Sequence, residues 1–220
     1  MKKYNVARFG MIAGWLTLAG ILAFSVIGPN VIAGQRVSGS FDAAAIKAYY
    51  SHEGLLPLSA MGFVILLTMI PFVTSLRSSL AATDRAVFSS KIGYAFAITA
   101  IPLYAVSNTM QIVLVGVAAK GGDIVPLFRL WDVIYNSAAY IPEAGYAVFF
   151  ALAMRDEMQF PRWMPKVGLV VGLFQLINAS AIFVGIPDSY TMAGNLLLML
   201  WFVGANIGLG RLGSQKPALS

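Results

Sequence analysis

Long apolar runs dominate the chain, and short polar connections separate them. Six runs are long enough to be membrane-spanning helices, since a span needs about 20 apolar residues at a rise of about 1.5 Å per residue. They are 9–27, 55–76, 92–119, 135–154, 167–186 and 190–209. No connection between them is long enough to join two domains. The pattern therefore predicts one all-α transmembrane domain, 1–220, built as a bundle of six helices.

Two of the connections carry short helical patterns of their own. In 38–54, Ser40 or Asp42 can cap a helix that Gly54 ends. In 126–137, apolar residues recur at helical spacing. Both segments contain aromatic residues of the kind that favours the headgroup region. The sequence therefore predicts two short interfacial helices in the outer loops, the second lying flat before the fourth span turns inward.

Composition and charge agree with a membrane protein and give it an orientation. Hydrophobic residues make up 59% of the chain and charged residues only 11%, with a mean hydropathy of +0.78, which is far from the balance of soluble domains. Of the 15 Lys and Arg residues, eleven fall in the N-terminus, the second and fourth connections and the tail. Short basic loops stay in the cytoplasm. We therefore predict that both termini are cytoplasmic.

The residue types that are scarce exclude several kinds of chemistry. The chain has no cysteine and a single histidine, His52, so disulfides, iron–sulfur clusters, thiol catalysis and the usual zinc cages are not expected, and no metal site is predicted. The sequence leaves the identity of any cofactor unknown. The net charge of +6 comes from basic residues at helix ends, without a long basic run. The predicted partner of these residues is the lipid headgroup layer rather than nucleic acid.

Pairs of glycines four residues apart recur in three of the predicted spans. Such spacing lets two helix backbones approach closely in a membrane. All the pairs lie toward the predicted cytoplasmic side. The predicted packing glycines are Gly10 with Gly14, Gly168 with Gly172 and Gly204 with Gly208.

Amide side chains show the opposite bias and concentrate in the outer halves of the spans. Asn108 and Gln111 lie in the third span, Asn136 at the outer end of the fourth and Asn178 past the middle of the fifth. Amides in hydrocarbon need partners on other helices or in water. The sequence therefore predicts a polar pocket that opens outward.

Glu143 lies near the middle of the fourth span, about 16 Å from its inner end at the helical rise. Asn136, Tyr140 and Glu143 are spaced as residues that share one helix face. Pro142 lacks an N–H, which leaves the carbonyl of Ala138 free. A charged carboxylate at this depth is costly, so we expect a neutral Glu143 that hydrogen-bonds the amides of neighbouring spans and holds a proton, a cation or a ligand.

A second interpretation of the same stretch stays open. Pro142 can be the first residue of the true helix, in which case Glu143 only complements the helix N-terminus. The residues 142–154 would then cover about 20 Å, which is short of a full span.

Three stretches carry a resemblance to known proteins: "ARFGMIAGWLTLAG" in the first span, "DAAAIKAYY" in the loop after it, and "FPRWMPKVGLVVGLFQL" leading into the fifth. In this layout the chain resembles a group of bacterial six-helix integral membrane proteins classified as a domain of unknown function. The resemblance implies a bacterial inner membrane. It assigns no catalytic or binding residue.

Three functions follow as hypotheses. The first is binding or transport of a ligand, either a small or amphipathic molecule or a lipid, in the outward-facing pocket formed by Glu143 and its amide neighbours. The second is an accessory or anchoring subunit, whose glycine faces pack against a membrane protein partner or a second copy of the chain. The third is an intramembrane enzyme with Glu143 as general base, although the sequence offers no second catalytic group.

Overall fold

The computed structural model describes residues 3–24, 43–52, 54–184 and 188–214, and it leaves the side chains of residues 181–191 undescribed. Regular structure in these ranges is entirely helical, which confirms the predicted all-α class. The α-helices are α1 Lys3–Leu22, α2 Ala43–Tyr50, α3 Leu55–Ser79, α4 Asp84–Ala119, α5 Val125–Val133, α6 Tyr140–Met154, α7 Met164–Val184 and α8 Asp188–Gly213. A π-helical turn, Ile134–Ala138, joins α5 to α6.

Five helical segments of the described chain are long and apolar enough to cross a membrane. They are Tyr4–Leu22, Leu55–Ser79, Asp84–Ala119, Val125–Met154 and Met192–Gly213. In α7 the described apolar stretch is the shorter Met164–Ser180, and residues 185 and 186 of the predicted fifth span lie outside the described residues, as do 25–27 of the first. The six-span count therefore stays a prediction.

Helix α4 starts well before the predicted third span. It begins at Asp84 and runs for 36 residues, whereas the apolar run begins at 92. Thr83 has an extended backbone, and its hydroxyl accepts a hydrogen bond from the Ala86 N–H at 3.1 Å. An apolar run marks only the part of a helix that suits hydrocarbon, while a cap decides where the backbone becomes helical.

The six long helices close into a ring in the order α1, α3, α4, α6, α7 and α8, with α8 packed again on α1. Neighbours along this ring run in opposite directions: Gly10 near the start of α1 lies against Ser75 near the end of α3, and Gly213 at the end of α8 lies against Arg8. We call the end where α1 begins and α8 ends the terminal side, and the opposite end the distal side.

Large aromatic side chains fill the interior of the ring on its terminal side. Trp201 of α8 is at the centre, with its ring centroid 5.7 Å from that of Tyr146, 5.4 Å from that of Phe202 and 6.3 Å from that of Phe72. Phe150 lies 6.4 Å from Trp201 on the α6 side. All five side chains are buried. This aromatic layer closes the ring interior toward the terminal side.

Large apolar side chains cover the outside of the ring. Leu67 of α3 is 68% exposed, Phe88 of α4 66% and Leu173 of α7 59%. A water-soluble protein seldom leaves so much apolar side-chain surface uncovered on neighbouring helices. Hydrocarbon chains of a bilayer are the environment that suits such a surface.

The predicted packing glycines lie where helices approach closely. A β-carbon added at Gly168 would overlap that of Ala151 and come within 2.8 Å of the Ala147 carbonyl oxygen. At Gly172 it would meet Val148. The remaining pairs likewise face side chains of a neighbouring segment: Gly10 faces Ser75, Gly14 faces Asn206 and Phe72, Gly204 faces Met164 and Trp163, and Gly208 faces Phe160.

The two short helices meet in a second apolar cluster on the distal side. Tyr50 of α2 packs edge-on against Phe128 and Trp131 of α5, with centroid distances of 5.9 and 6.4 Å. The Lys47 ammonium donates a hydrogen bond to the Gly121 carbonyl at 3.0 Å. Gly121 has a φ of 76°, a conformation that favours glycine. The short helices therefore pack against each other and the end of α4.

Candidate functional site

The start of α6 is shaped by a π-helical turn and a proline. In the turn Ile134–Ala138 the backbone stays helical but widens, and the Ala139 N–H donates to the Ile134 carbonyl at 3.0 Å. Pro142 lies in the first turn of α6, where a missing N–H is tolerated. The predicted separate interfacial helix is thus joined to α6 through helical backbone rather than through a loop. Glu143 is held within a continuous helical segment, with 5% of its surface exposed.

A cavity of about 90 Å³ lies inside the ring, next to the aromatic layer. Helices α1, α3, α4, α6 and α8 and the π-helical turn contribute to its walls. Its polar side chains are Tyr104, Asn108, Tyr135, Tyr140, Glu143, Tyr146 and Asn195. The other lining residues are Ile21, Phe24, Gly62, Ile65, Leu66, Met69, Leu198 and Phe202. One polar cluster in mostly apolar walls is the usual composition of a small-molecule pocket.

The Glu143 carboxyl group interacts with phenols rather than with a cation. The Tyr146 hydroxyl donates a hydrogen bond to Glu143 Oε1 at 3.1 Å, and the Tyr104 side chain approaches the same carboxyl from α4. Among the described residues that line the cavity there is no lysine, arginine, histidine or second carboxyl group. Within this described lining, Glu143 is therefore the only acidic or basic side chain apart from the tyrosines.

Two of the predicted pocket residues line the cavity with Glu143. Tyr140 lies one turn before Glu143 on α6, and Asn108 reaches in from α4. The Asn108 amide lies against Gly62 of α3, where any larger residue would meet it. A glycine on α3 therefore makes the space that the Asn108 side chain occupies.

Asn136 is not among the residues that line the cavity. Its amide donates to Asp132 Oδ1 at 2.5 Å. The sequence predicted a shared face for Asn136, Tyr140 and Glu143 on the assumption of an uninterrupted α-helix. The π-helical turn has more residues per turn than an α-helix, so it changes the angular position of everything before Ala139. This change separates Asn136 from the other two.

The remaining predicted amides have partners elsewhere. Gln111 Oε1 accepts a hydrogen bond from Ser59 at 3.4 Å, between α4 and α3. Asn178 donates to Gln175 Oε1 at 3.0 Å within α7, and its amide lies against Gly194 of α8. The described side chains of α7 contribute nothing to the cavity lining, which explains why Asn178, at the predicted depth, does not reach Glu143.

The pocket residues selected from the sequence did not include Tyr104, Tyr146 or Asn195, although Asn195, early in the sixth predicted span, belongs to the same set of outer amides. Tyr146 follows Glu143 by three residues, so helical spacing alone gave a signal for it. Tyr104 and Asn195 come from other helices, and their position depends on which helices are neighbours in the ring. Hydrophobic pattern carries no information on that order.

A second buried glutamate, Glu157, has a structural role in this fold. Glu157 follows α6 on the terminal side and is 6% exposed. Its Oε1 accepts the N–H groups of Ala81 and Ala82, each at 2.8 Å. These hydrogen bonds join the α6–α7 connection to the α3–α4 connection. Hydrogen bonds from backbone N–H groups explain why Glu157 is buried, whereas the Glu143 side chain borders the cavity.

Asp156 strengthens the same junction. It forms an ion pair with Arg85 and accepts a hydrogen bond from the Thr83 hydroxyl at 2.8 Å. Arg85 and then Thr83 hold the pKa of the Asp156 carboxyl below its usual value. The link is therefore complete above about pH 4 and is lost only as the pH falls through that lowered pKa. Because Arg85 is 58% exposed, its contribution to stability is modest.

His52 has a local structural contact. Its Nδ1 accepts the Gly54 N–H at 3.2 Å, just before α3 begins. Within the described ranges, no group of three or more histidine and acidic side chains is arranged to hold a metal ion.

Comparisons with known proteins found no match to a family model, a curated protein or a solved structure. The residues that line the cavity are therefore the basis for proposing a function. One carboxyl group, phenols and two amides are concentrated within apolar walls. This arrangement can bind the polar end of a small molecule while the walls hold its apolar part.

Proposed function

We propose that the protein binds a small amphipathic molecule in the central cavity, as a receptor or as the binding step of a transporter. Glu143 and its phenol neighbours hold the polar end of the molecule, and the apolar side chains hold the rest. The observation that carries the proposal is the contrast between the two buried glutamates. Glu157 is engaged by backbone N–H groups, while Glu143 faces a cavity with space beside it.

The size of the cavity limits the ligand to a small molecule. A single water needs about 10–15 Å³ of such space, so about 90 Å³ holds a few polar atoms and a short apolar chain. Ionisable groups within a membrane bundle are expensive and mark ligand, ion or proton sites by default. A carboxyl group with no basic partner among the described lining residues fits a site that binds the polar end of a ligand.

The orientation of the bundle is part of the proposal. We propose six spans in a bacterial inner membrane, with the terminal side and both chain termini in the cytoplasm. Eleven of the 15 basic residues lie in segments on that side, in agreement with the positive-inside rule. The aromatic layer lies between the cavity and the cytoplasm, so the cavity belongs to the outer half of the bundle and opens outward.

The test compares the two glutamates in purified full-length protein. Hexan-1-ol and hexylamine serve as probes, and the thermal midpoint is measured for the wild type, Glu143→Gln and Glu157→Gln. We expect at least one probe to raise the midpoint of the wild type, because a ligand that binds only the folded state stabilises it. Glutamine at position 143 keeps an acceptor but cannot make the stronger hydrogen bond of a charged or protonated carboxyl group, so the probe that stabilises the wild type should bind to Glu143→Gln about tenfold more weakly.

Glu157→Gln is the matched control, since it removes the other buried carboxyl group but keeps Oε1 as an acceptor. Its response to the probes should equal that of the wild type. The proposal is wrong if neither probe stabilises the wild type, or if Glu143→Gln responds as strongly as Glu157→Gln.

A further inference from the structure

We infer that the ligand is a small organic cation, such as a quaternary or primary ammonium compound; this inference rests on the proposed function and names its ligand class. The first argument is the charge of the site. Of the lining residues that the structure describes, only Glu143 can carry a full charge near neutral pH. An anionic ligand would place two like charges side by side in apolar surroundings, whereas a cation would neutralise the carboxylate.

The second argument is the number of aromatic rings around the carboxyl group. Phe24, Tyr104, Tyr135, Tyr140, Tyr146 and Phe202 all line the cavity. They come from the end of the first helical segment just after α1, from α4, the π-helical turn Ile134–Ala138, α6 and α8, so the rings border the space on several helices. A cation over an aromatic face is attracted by the electron density of the ring, most strongly where water is excluded.

The third argument is the way in which the carboxyl group is hydrogen-bonded. Its protein partners donate hydrogen bonds, since Tyr146 donates to Oε1 and Tyr104 approaches the same group. Phenol donors support a carboxylate without neutralising its charge. A bound cation supplies the missing positive charge, and the cation and carboxylate together form a neutral pair that a membrane interior tolerates.

The test uses choline and its neutral analogue 3,3-dimethylbutan-1-ol, in which carbon replaces the charged nitrogen. Binding of each compound to the full-length protein in lipid nanodiscs is measured by equilibrium dialysis. Because the two compounds have nearly the same shape, a difference in affinity reports the charge. We expect the wild type to bind choline about tenfold more tightly or better.

The variants separate charge from shape. Glu143→Gln should reduce choline affinity about tenfold or more and leave the affinity for the neutral analogue within about twofold. Glu157→Gln, the control with its change outside the cavity, should keep the wild-type preference.

Equal affinities for the two compounds in the wild type would overturn the inference, and so would a choline affinity that Glu143→Gln does not alter. If hexan-1-ol still stabilises the wild type in a Glu143-dependent manner, the proposed amphipath site remains and only its cationic ligand class is wrong. If no compound binds, the ligand class and the proposed function are both wrong.

Discussion

Gly168→Val should disrupt the packing of α7 on α6 and lower the free energy of unfolding by about 3 kcal/mol or more. A single β-carbon at this position already overlaps Ala151 and approaches the Ala147 carbonyl oxygen. Since the Ala147 contact is backbone, the side chain has no rotamer that relieves it, and the two helices must separate. The unfolding midpoint in denaturant of the purified protein, followed by circular dichroism, measures this loss.

Gly116→Val is the matched control, because a β-carbon at Gly116 meets nothing within 4 Å. It should change the free energy of unfolding by about 0.5 kcal/mol or less. Equal losses in the two variants would show that valine itself, and not the contact between α6 and α7, causes the destabilisation.

The second large effect is expected at Glu157. Glu157→Ala leaves the N–H groups of Ala81 and Ala82 without their acceptor. A hydrogen bond to a charged group contributes about 1.5–3 kcal/mol, so we expect the free energy of unfolding to fall by about 3 kcal/mol. The loss should be measured in the same denaturant assay.

Glu157→Gln separates the hydrogen bonds from the charge. Its amide oxygen can replace Oε1 as the acceptor for both N–H groups, so less than half of the alanine effect is expected. If glutamine and alanine destabilise the protein equally, the junction depends on the negative charge rather than on the two hydrogen bonds. If neither variant has an effect, the proposed role of Glu157 in joining the two connections is wrong.

The hydrophobic pattern predicted the helical class and most helix positions because both depend on local sequence. The second predicted span, 55–76, corresponds closely to α3, Leu55–Ser79. Where the prediction failed, the deciding residues were polar ones outside the apolar run, as with the Thr83 cap of α4. The length of an apolar run reflects the thickness of the bilayer, whereas capping residues determine where a helix begins or ends.

The candidate site was predictable in part, for a different reason. Glu143 stood out because a carboxyl group is rare in an apolar run, and Tyr140 followed from helical spacing. Asn136 was misplaced by the π-helical turn, whose extra residue per turn is not apparent from the apolar pattern. To predict that Tyr104 and Asn195 line the same cavity as Glu143, one must know the order of helices in the ring, which is a property of tertiary packing.

The most direct test of the proposal that the cavity opens to the outside uses the absence of cysteine from the chain. Asn195→Cys places a thiol in the cavity wall, and Leu196→Cys places one on the next residue of α8, whose native side chain is 51% exposed on the outside of the ring. A membrane-impermeant trimethylammonium thiosulfonate is added to the outside of intact cells, and its attachment to the purified protein is measured by mass spectrometry.

We expect Asn195→Cys to be labelled and Leu196→Cys, on the apolar outer surface of the ring, to remain unlabelled. We also expect that adding Glu143→Gln to Asn195→Cys slows the labelling by the cationic reagent. Labelling of both cysteines to the same extent, or of neither, would contradict a cavity that is open to the outside next to Glu143.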